Sequence, residues 1–598
     1  KEKEKKGTYL EQFAAMVIEN PEAVCAIDDN GSLSYEQVDI LSDRLACFLT
    51  DAGLEKNDVV GVSLSSSSHV LISIIAIWKS GAVYLPIDPD TPEDRKEYML
   101  KNSDAACCIV DGTAGIVSVD ELDISGRLHE SSWMTEYEDE ELQVESSESA
   151  YIIYTSGTTG KPKGVSISHE ALSGYLSHTS REYFSKADAA LVLTSINFDA
   201  TVTSLIGPSY CGKCTVFSRD KKELLERESR SRTPTLFKIT PSQLSIFLDD
   251  TIEGTVNTPH VFIVGGEPLG KELLLSLFEH YPNAICVNEY GPTEATVGTT
   301  TFTLTKENFG DLRGNEVPIG RPIDGAGVAI LGRDGLPVMS GCVGELFILG
   351  EMLSCGYINN TEQTKQSFPL MDLGNGLFTK TYKTGDMASL DIDGNLYFHG
   401  RKDGQIKHNG VRIELSEVKA VIEEIVGGSS VSVIYDKAKS QIICALIDNS
   451  LCIDNIISEA EKFLPSYMLP SLWGFIDSVP LTINGKEDKD KIVEMIASQM
   501  TANIKQESTT ELQGLLMSLV SDITGYPAVT LDSKFMEVGG DSLKVMSFLS
   551  QIKSRFSVSL QLSDLLENQS VRKLSALIEQ EQAMENLEDI DNGDELIF

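Results

Sequence analysis

The chain has 598 residues, 41% hydrophobic and 23% charged, a globular composition too long for one core, so two to four domains are expected. Its formal charge is 49 − 90 = −41, which argues against nucleic acid and anionic membranes as main partners, because both call for a basic surface. The acidity reads as solubility and still permits a nucleotide, whose phosphates need only local N–H groups and a few cations.

In chain order, the first 400 residues alternate β-rich runs with helical stretches. Val59–Leu64 reads as a buried strand, Val70–Lys79 as a helix and Ala82–Pro86 as the next strand. Ala190–Thr194, Leu236–Thr240, Val261–Val264 and Ala284–Asn288 are further strands, mostly ahead of Gly, Pro or Asn breakers. This alternation predicts a large α/β core with largely parallel sheets. A small α+β region follows from near Gly400, with strands over Ser430–Tyr435 and Ile442–Ile447 and helices over Ser416–Ile425 and Ile453–Phe463. The polar stretch Ser498–Thr510 reads as a linker. Beyond it, Glu511–Thr524, Leu543–Phe556 and Ser570–Gln582 read as an all-α bundle of about 75 residues, near the size limit for independent folding. Leu543, Met546, Leu549, Ile552 and Phe556 fall on one helix face. The acidic stretch after Glu585 reads as a frayed tail. The expected domains are therefore 1–402, 403–500 and 508–585, with a tail over 586–598.

Lys1–Lys6 carries no initiator Met and reads as the start of a piece of a longer chain, and no signal peptide follows. The longest apolar run, near Val70–Trp78, is too short to span a bilayer. The 11 cysteines are scattered, and Cys211 with Cys214 lacks a second pair at zinc spacing. Reduced thiols and a cytoplasmic compartment are expected.

The densest chemical signal follows the apolar run Tyr151–Tyr154: Thr155, Ser156, Gly157, Thr158, Thr159, Gly160, Lys161, Pro162, Lys163, Gly164. Glycines let the backbone wrap a phosphate, hydroxyls donate to it and lysines add charge. Lys161 is followed by Pro162, so this is not the Gly-Lys-Ser/Thr P-loop.

The stretch resembles the phosphate loop of the adenylate-forming superfamily, specifically of nonribosomal peptide synthetase adenylation domains. Further stretches stand in that family's order from about Gly7 to Asp490. They include Leu33–Glu36, Trp78–Asp88, Asn197–Ala200, Asn288–Glu294, Gly344–Leu346, Tyr382–Asp386, Gly400–Lys407, Leu464–Pro470 and Asn484–Lys486.

The resemblance implies roles. ATP would be held by the loop residues Thr155 to Lys161, and by Gly265, Gly266, Glu267, Asn288, Tyr290, Gly291, Thr293, Asp386 and Arg401. Tyr290 offers a face to adenine, Asn288 an amide to its amine, and Asp386 accepts from ribose hydroxyls. Glu294 is the implied Mg2+ ligand, an ion that takes oxygen donors. Lys486 would bridge the attacking carboxylate and the α-phosphate, with Thr155 and Glu294 also in the catalytic set. Asp403 matches the hinge about which the small domain swings between two half-reactions. His408-Asn409-Gly410 departs from the more common Ile-Arg-Gly.

The family's selectivity pocket maps onto Asp199, Ala200, Thr203, Ser242, Ile263, Gly265, Glu289, Val297, Gly298 and Lys486. Asp199 would pair with an α-ammonium and Lys486 with the carboxylate, which favours an amino acid over a fatty or aryl acid. Gly265 and Gly298 leave room, while Thr203, Ser242 and Glu289 make the wall polar. A buried Glu289 calls for a donor or cation from the substrate, so an Asn-like, Lys/ornithine-like or Tyr-like side chain is expected.

Asp532 to Leu543 resembles the attachment site of a peptidyl carrier domain, with Ser542 capping the next helix and accepting 4′-phosphopantetheine. Gly540-Asp541-Ser542-Leu543 also spells a GDSL esterase motif, but no histidine follows Ser542. The rival functions are an acyl- or aryl-CoA ligase of the same superfamily and a non-catalytic scaffold. The implied partners are a phosphopantetheinyl transferase, neighbouring condensation or thioesterase domains and a small MbtH-like accessory protein.

Overall fold

Runs of β-branched residues set between breakers become the parallel centres of two sheets, as the alternation predicts. In a computed structural model the residues described are 7–591, apart from 112–119, 124–146, 158–160, 252–254, 313–315, 373–377, 403–404, 409–410, 429–430, 438, 481–486, 503–509, 527–528, 537, 541, 557, 559, 561–563 and 566–569. The chain divides into two compact units at Arg412 and Ile413.

The first unit carries a nine-stranded sheet. Its order is Arg321–Pro322, Thr300–Leu304, Ile285–Tyr290, Val261–Gly265, Thr235–Ile239, Ala189–Leu191, Cys214–Val216, Val24–Asp28, Gly31–Ser34. The strands from Ile285–Tyr290 through Val24–Asp28 run parallel and the outer ones antiparallel. A second sheet of seven strands is parallel through Ser149–Thr155, Val83–Pro86, Val59–Ser63, Ala105–Val110 and Asp120–Asp123. It ends antiparallel at Lys163–Ser168 and Gly356–Tyr357. A smaller antiparallel sheet is built on Gly344–Gly350, Phe378–Leu390 and Leu396–Arg401.

Helix Ser68–Lys79 is buried along its whole length, which explains why it reads as a continuous apolar run. Trp78 donates its indole N–H to the Ala150 carbonyl at 2.7 Å and packs edge-on against Tyr9. Parallel strands buried on both faces put ligand sites at their carboxyl ends. Here those ends hold Ile239, Gly265 and Tyr290.

The second unit contains a three-stranded sheet, Val431–Asp436, Gln441–Leu446 and Leu472–Phe475, with helices Leu415–Ile425, Ile453–Ala460 and Lys489–Ala502. Its helical part comprises Glu511–Thr524, Ser542–Phe556 and Val571–Asp591 around Leu516, Leu519, Phe535, Phe548, Ile552, Leu574 and Ile578. Thr510 and Gln513 form a capping box on the first of these, and Gly525 ends it in the left-handed region. The last helix continues past Glu585 to Asp591, because no Gly or Pro interrupts it. No helix among the described residues is long and apolar enough to cross a membrane.

Candidate active site

A Cβ on Gly157 would lie 1.9 Å from the Lys161 carbonyl. Glycine is therefore required, because the Lys161 carbonyl fills the space a side chain would take. The preceding strand delivers Thr155, whose Oγ1 is buried and lacks a hydrogen-bond partner among the described residues. Leaving such a hydroxyl unpaired costs about 1–3 kcal/mol, and a phosphate oxygen would satisfy it. Ser156 donates through Oγ to the Arg412 carbonyl at 2.9 Å. Lys161 lies over the Tyr98 ring and Lys163 over the Tyr357 ring. Thr158, Thr159 and Gly160 lie outside the described residues, as do Asp403 and Lys486.

The structure brings Tyr290, Asp386 and Arg401 together. Asp386 and Arg401 face each other on paired strands, and Arg401 Nη1 donates to Asp386 Oδ1 at 2.7 Å. The Tyr290 hydroxyl donates to the other carboxylate oxygen. Each oxygen keeps a lone pair for a sugar hydroxyl. Asn288 spends one amide N–H on the Pro318 carbonyl at 2.8 Å. Gly291 passes so close to Val297 that a Cβ would lie 2.2 Å from its carbonyl.

Glu294 sits on the short turn Thr293–Ala295 and is fully buried. Its Oε1 accepts from the Tyr357 hydroxyl at 2.7 Å and its Oε2 from Arg412 Nη1 at 3.1 Å. Burial alone would push its carboxyl up. Arg412, Lys163 and the Tyr357 hydrogen bond outweigh that and hold it below the usual carboxylate range. An anionic oxygen donor fits Mg2+, which also takes phosphates and water.

Several residues expected to line the amino-acid pocket stand on one face of the large sheet. Lys238 on Thr235–Ile239 pairs in register with Ile263, and Glu289 pairs with Gly265. Alternation puts Lys238 on the face opposite Phe237 and Ile239, which pack into the core beyond. Lys238 Nζ donates to Glu289 Oε2, and both side chains are almost wholly buried. Tyr183 donates to Glu289 Oε1 at 2.7 Å and Tyr175 at 3.1 Å, and Tyr175 shares a 2.7 Å hydrogen bond with Thr203. Burial pushes the Glu289 carboxyl up, and the Lys238 charge reverses this to leave it lowered.

The cation that Glu289 calls for is thus supplied by the chain itself. Gly265 and Gly298 serve Glu289 as well. A Cβ on Gly298 would lie 2.5 Å from the Glu289 carboxyl carbon, and one on Gly265 would lie 2.5 Å from the Glu289 carbonyl oxygen. Thr296 and Val297 adopt φ of 57° and 66° beside them, a strained left-handed turn for β-branched residues. The Thr296 hydroxyl donates to the Met352 carbonyl at 2.7 Å and helps hold that turn.

Asp199 precedes helix Ala200–Leu205, and its Oδ2 is buried with no partner among the described residues. Burial raises its carboxyl to about 6, against the opposing pull of Thr293 and Lys238. Ser242 stands apart from this network. It lies on helix Pro241–Thr251, where its Oγ donates to Glu267 Oε2 at 2.5 Å. Gly266, between Gly265 and Glu267, has φ of 86° and turns the chain there.

Sequence reasoning missed Lys238, Tyr175, Tyr183 and Arg412. One signal was available. A lysine inside the fully buried strand Thr235–Ile239 must find a counter-charge.

A family described as AMP-binding enzyme matches residues 13–358. The chain belongs to that family. This enzyme also carries a phosphopantetheine attachment site, matched over residues 514–578. Within that span, Ser542 is the first residue of its helix. The enzyme is 32% identical to bacitracin synthase 3 of Bacillus licheniformis over 95% of its own length. It is 30% identical to tyrocidine synthase 3 of Brevibacillus parabrevis over 97% of its length. It spans 9% of the length of each. Its fold is similar to that of holo-PA1221, an NRPS protein containing adenylation and PCP domains bound to a vinylsulfonamide inhibitor. The TM-score is 0.80 at 23% identity, covering 96% of this chain and 97% of that one. The enzyme thus joins an AMP-binding domain to a phosphopantetheine-carrying domain. AMP-binding enzymes use ATP, generally with Mg2+, and the carrier domain holds 4′-phosphopantetheine.

Proposed function

We propose that this enzyme activates an amino acid bearing a side-chain carboxamide, such as asparagine, and loads it onto the pantetheine thiol on Ser542. The observation that carries the substrate reading is the buried Lys238–Glu289 pair. Lys238 has three N–H donors and spends one on Glu289. Glu289 Oε2, which receives it, has a further lone pair to offer. A carboxamide presents a carbonyl to the first and an NH2 to the second. An amine would set a second cation beside Lys238, and a carboxylate would set a second anion beside Glu289. An aliphatic side chain would leave both charges without a substrate partner.

ATP supplies the phosphate that turns the substrate carboxylate into an activated ester. This chain binds and orients it through Thr155, Gly157, Tyr290, Asp386 and Arg401, with Glu294 as the carboxylate for Mg2+. Lys486 is assigned the charge between carboxylate and α-phosphate. Lys486→Ala is expected to lower ATP–pyrophosphate exchange about 10²–10³-fold, the effect of one transition-state cation, with an unchanged circular dichroism spectrum. Near-normal exchange would remove Lys486 from the mechanism.

A pyrophosphate-exchange panel over the amino acids tests the substrate. Asparagine or glutamine should lead, with aspartate, lysine and valine far behind. Lys238→Met should lower exchange with the preferred substrate by about 10², the cost of leaving a buried polar partner unpaired in a site built to hydrogen-bond. A wild-type preference for ornithine, aspartate or valine sinks the carboxamide reading. The further partners proposed are a phosphopantetheinyl transferase that primes Ser542, an MbtH-like accessory protein and neighbouring condensation or thioesterase domains, in the cytoplasm.

A further inference from the structure

Both oxygens of Glu294 are engaged, one by the Tyr357 hydroxyl and one by the Arg412 guanidinium. Arg412 is held from several sides. Its Nε donates to Gln405 Oε1 at 2.9 Å, its Nη1 reaches the Tyr382 hydroxyl at 3.4 Å, and its carbonyl accepts from Ser156 of the phosphate loop at 2.9 Å. Arg412 lies on the second strand of the two-stranded hairpin formed by Gln405–His408 and Val411–Glu414. The first strand of that hairpin also sets Lys407 Nζ 5.6 Å over the Tyr290 ring, on the residue expected to meet adenine. One hairpin thus brings two cations to two positions that a metal–nucleotide needs.

We propose that Arg412 competes with the metal ion for Glu294, so that the buried carboxylate exchanges one counter-ion for another during turnover. A fully buried carboxylate is costly without a cation. The guanidinium provides one, and its positive charge beside Glu294 Oε2 opposes a metal ion at that carboxylate. Binding of metal–ATP therefore draws on the fraction of enzyme in which Arg412 has withdrawn, which weakens the apparent affinity by that fraction. When metal and pyrophosphate leave, the return of Arg412 restores charge balance beside the phosphate loop. The arrangement favours an order, since a guanidinium and a metal ion on one buried carboxylate repel each other. The inference rests on the reading of Glu294 as the metal ligand.

The test uses the full chain with Mn2+ and α,β-methylene-ATP, a nucleotide that cannot be cleaved at the α-phosphate. Free Mn2+ is followed by electron paramagnetic resonance. Arg412→Gln removes the charge and keeps a polar side chain of similar reach, so the apparent Mn2+ affinity should rise about 5-fold or more, by the fraction that no longer self-competes. Arg412→Lys, which keeps the charge, should stay within about 2-fold of wild type on the same argument. Glu294→Gln should abolish tight Mn2+ binding in either background. Unchanged or weaker Mn2+ binding in Arg412→Gln, with Glu294→Gln still deficient, overturns the competition and leaves the metal assignment standing. Tight Mn2+ binding by Glu294→Gln overturns the metal assignment and the proposal with it. If Arg412→Gln does not fold, Arg412→Ala and the binding of metal-free nucleotide decide, since competition at Glu294 requires the gain to depend on the metal.

Discussion

Ser542→Ala is expected to leave amino-acid-dependent pyrophosphate exchange at the wild-type rate and to abolish covalent loading. Exchange draws on residues of the first unit and on Lys486. Loading needs a thiol that the chain does not encode at Ser542 and receives only through a phosphopantetheine on its hydroxyl. The helical part has its own core from Leu516 to Ile578, so loss of one hydroxyl at a helix start should cost about 0.5–2 kcal/mol. Intact-mass spectrometry checks the outcome after incubation with a phosphopantetheinyl transferase, coenzyme A, ATP and the amino acid. The wild type should gain the arm and then the aminoacyl mass, and the variant neither. An aminoacyl adduct on the variant would mean that another group accepts the amino acid. Loss of exchange in the variant would mean that the two activities are not separable as the domain order implies.

Gly157, Tyr290, Asp386 and Ser542 could be singled out because each sits in a local motif of ten residues or fewer, and the structure sets Tyr290 against Asp386 and Ser542 at a helix start. Most buried strands were legible to within a residue or two, but the one expected over Ala190–Thr194 ends at Leu191. The strand predicted over Ala284–Asn288 runs instead over Ile285–Tyr290, since pairing with Thr300–Leu304 carries it through Glu289 and Tyr290. Such pairing is tertiary and no breaker rule anticipates it.

The pocket floor was not legible for the same reason. Glu289 was read correctly as a buried carboxylate in need of a partner. Its partners come from a strand 51 residues away and a helix more than 100 residues away. Gly265 and Gly298 read as space for substrate, yet each glycine clears a path for Glu289 itself. Sequence could rank residue types for a polar wall, but only the fold shows that Lys238 already sets a positive charge against Glu289.

Asp199→Asn is expected to lower exchange at least about 10²-fold, the loss of a charge-assisted contact to the α-ammonium in a buried site, and at the same time to stabilise the first unit. Burial holds the Asp199 carboxyl at about 6 in the folded chain, above the usual 3.8. As pH rises past 3.8, the unfolded chain releases this proton first, so the folded chain binds more protons and stability falls. The fall is complete once pH passes about 6. The roughly two-unit difference corresponds to about 1–3 kcal/mol. The variant's gain in melting temperature should therefore be present at pH 8 and small at pH 4, measured by calorimetry without substrate. The same group sets the pH dependence of substrate binding in the wild type. Protonation removes the charge that the α-ammonium seeks, so the amino-acid KM should rise as pH falls below about 6. In the variant this part of the profile should be flat. An Asp199→Asn enzyme with a wild-type KM and no gain in stability at pH 8 would show that the orphaned Oδ2 is neither strained nor addressed to the substrate. The stabilisation and the loss of binding have one cause. A buried carboxylate oxygen without a partner among the described residues is costly to fold, and it is available to the ammonium for that reason.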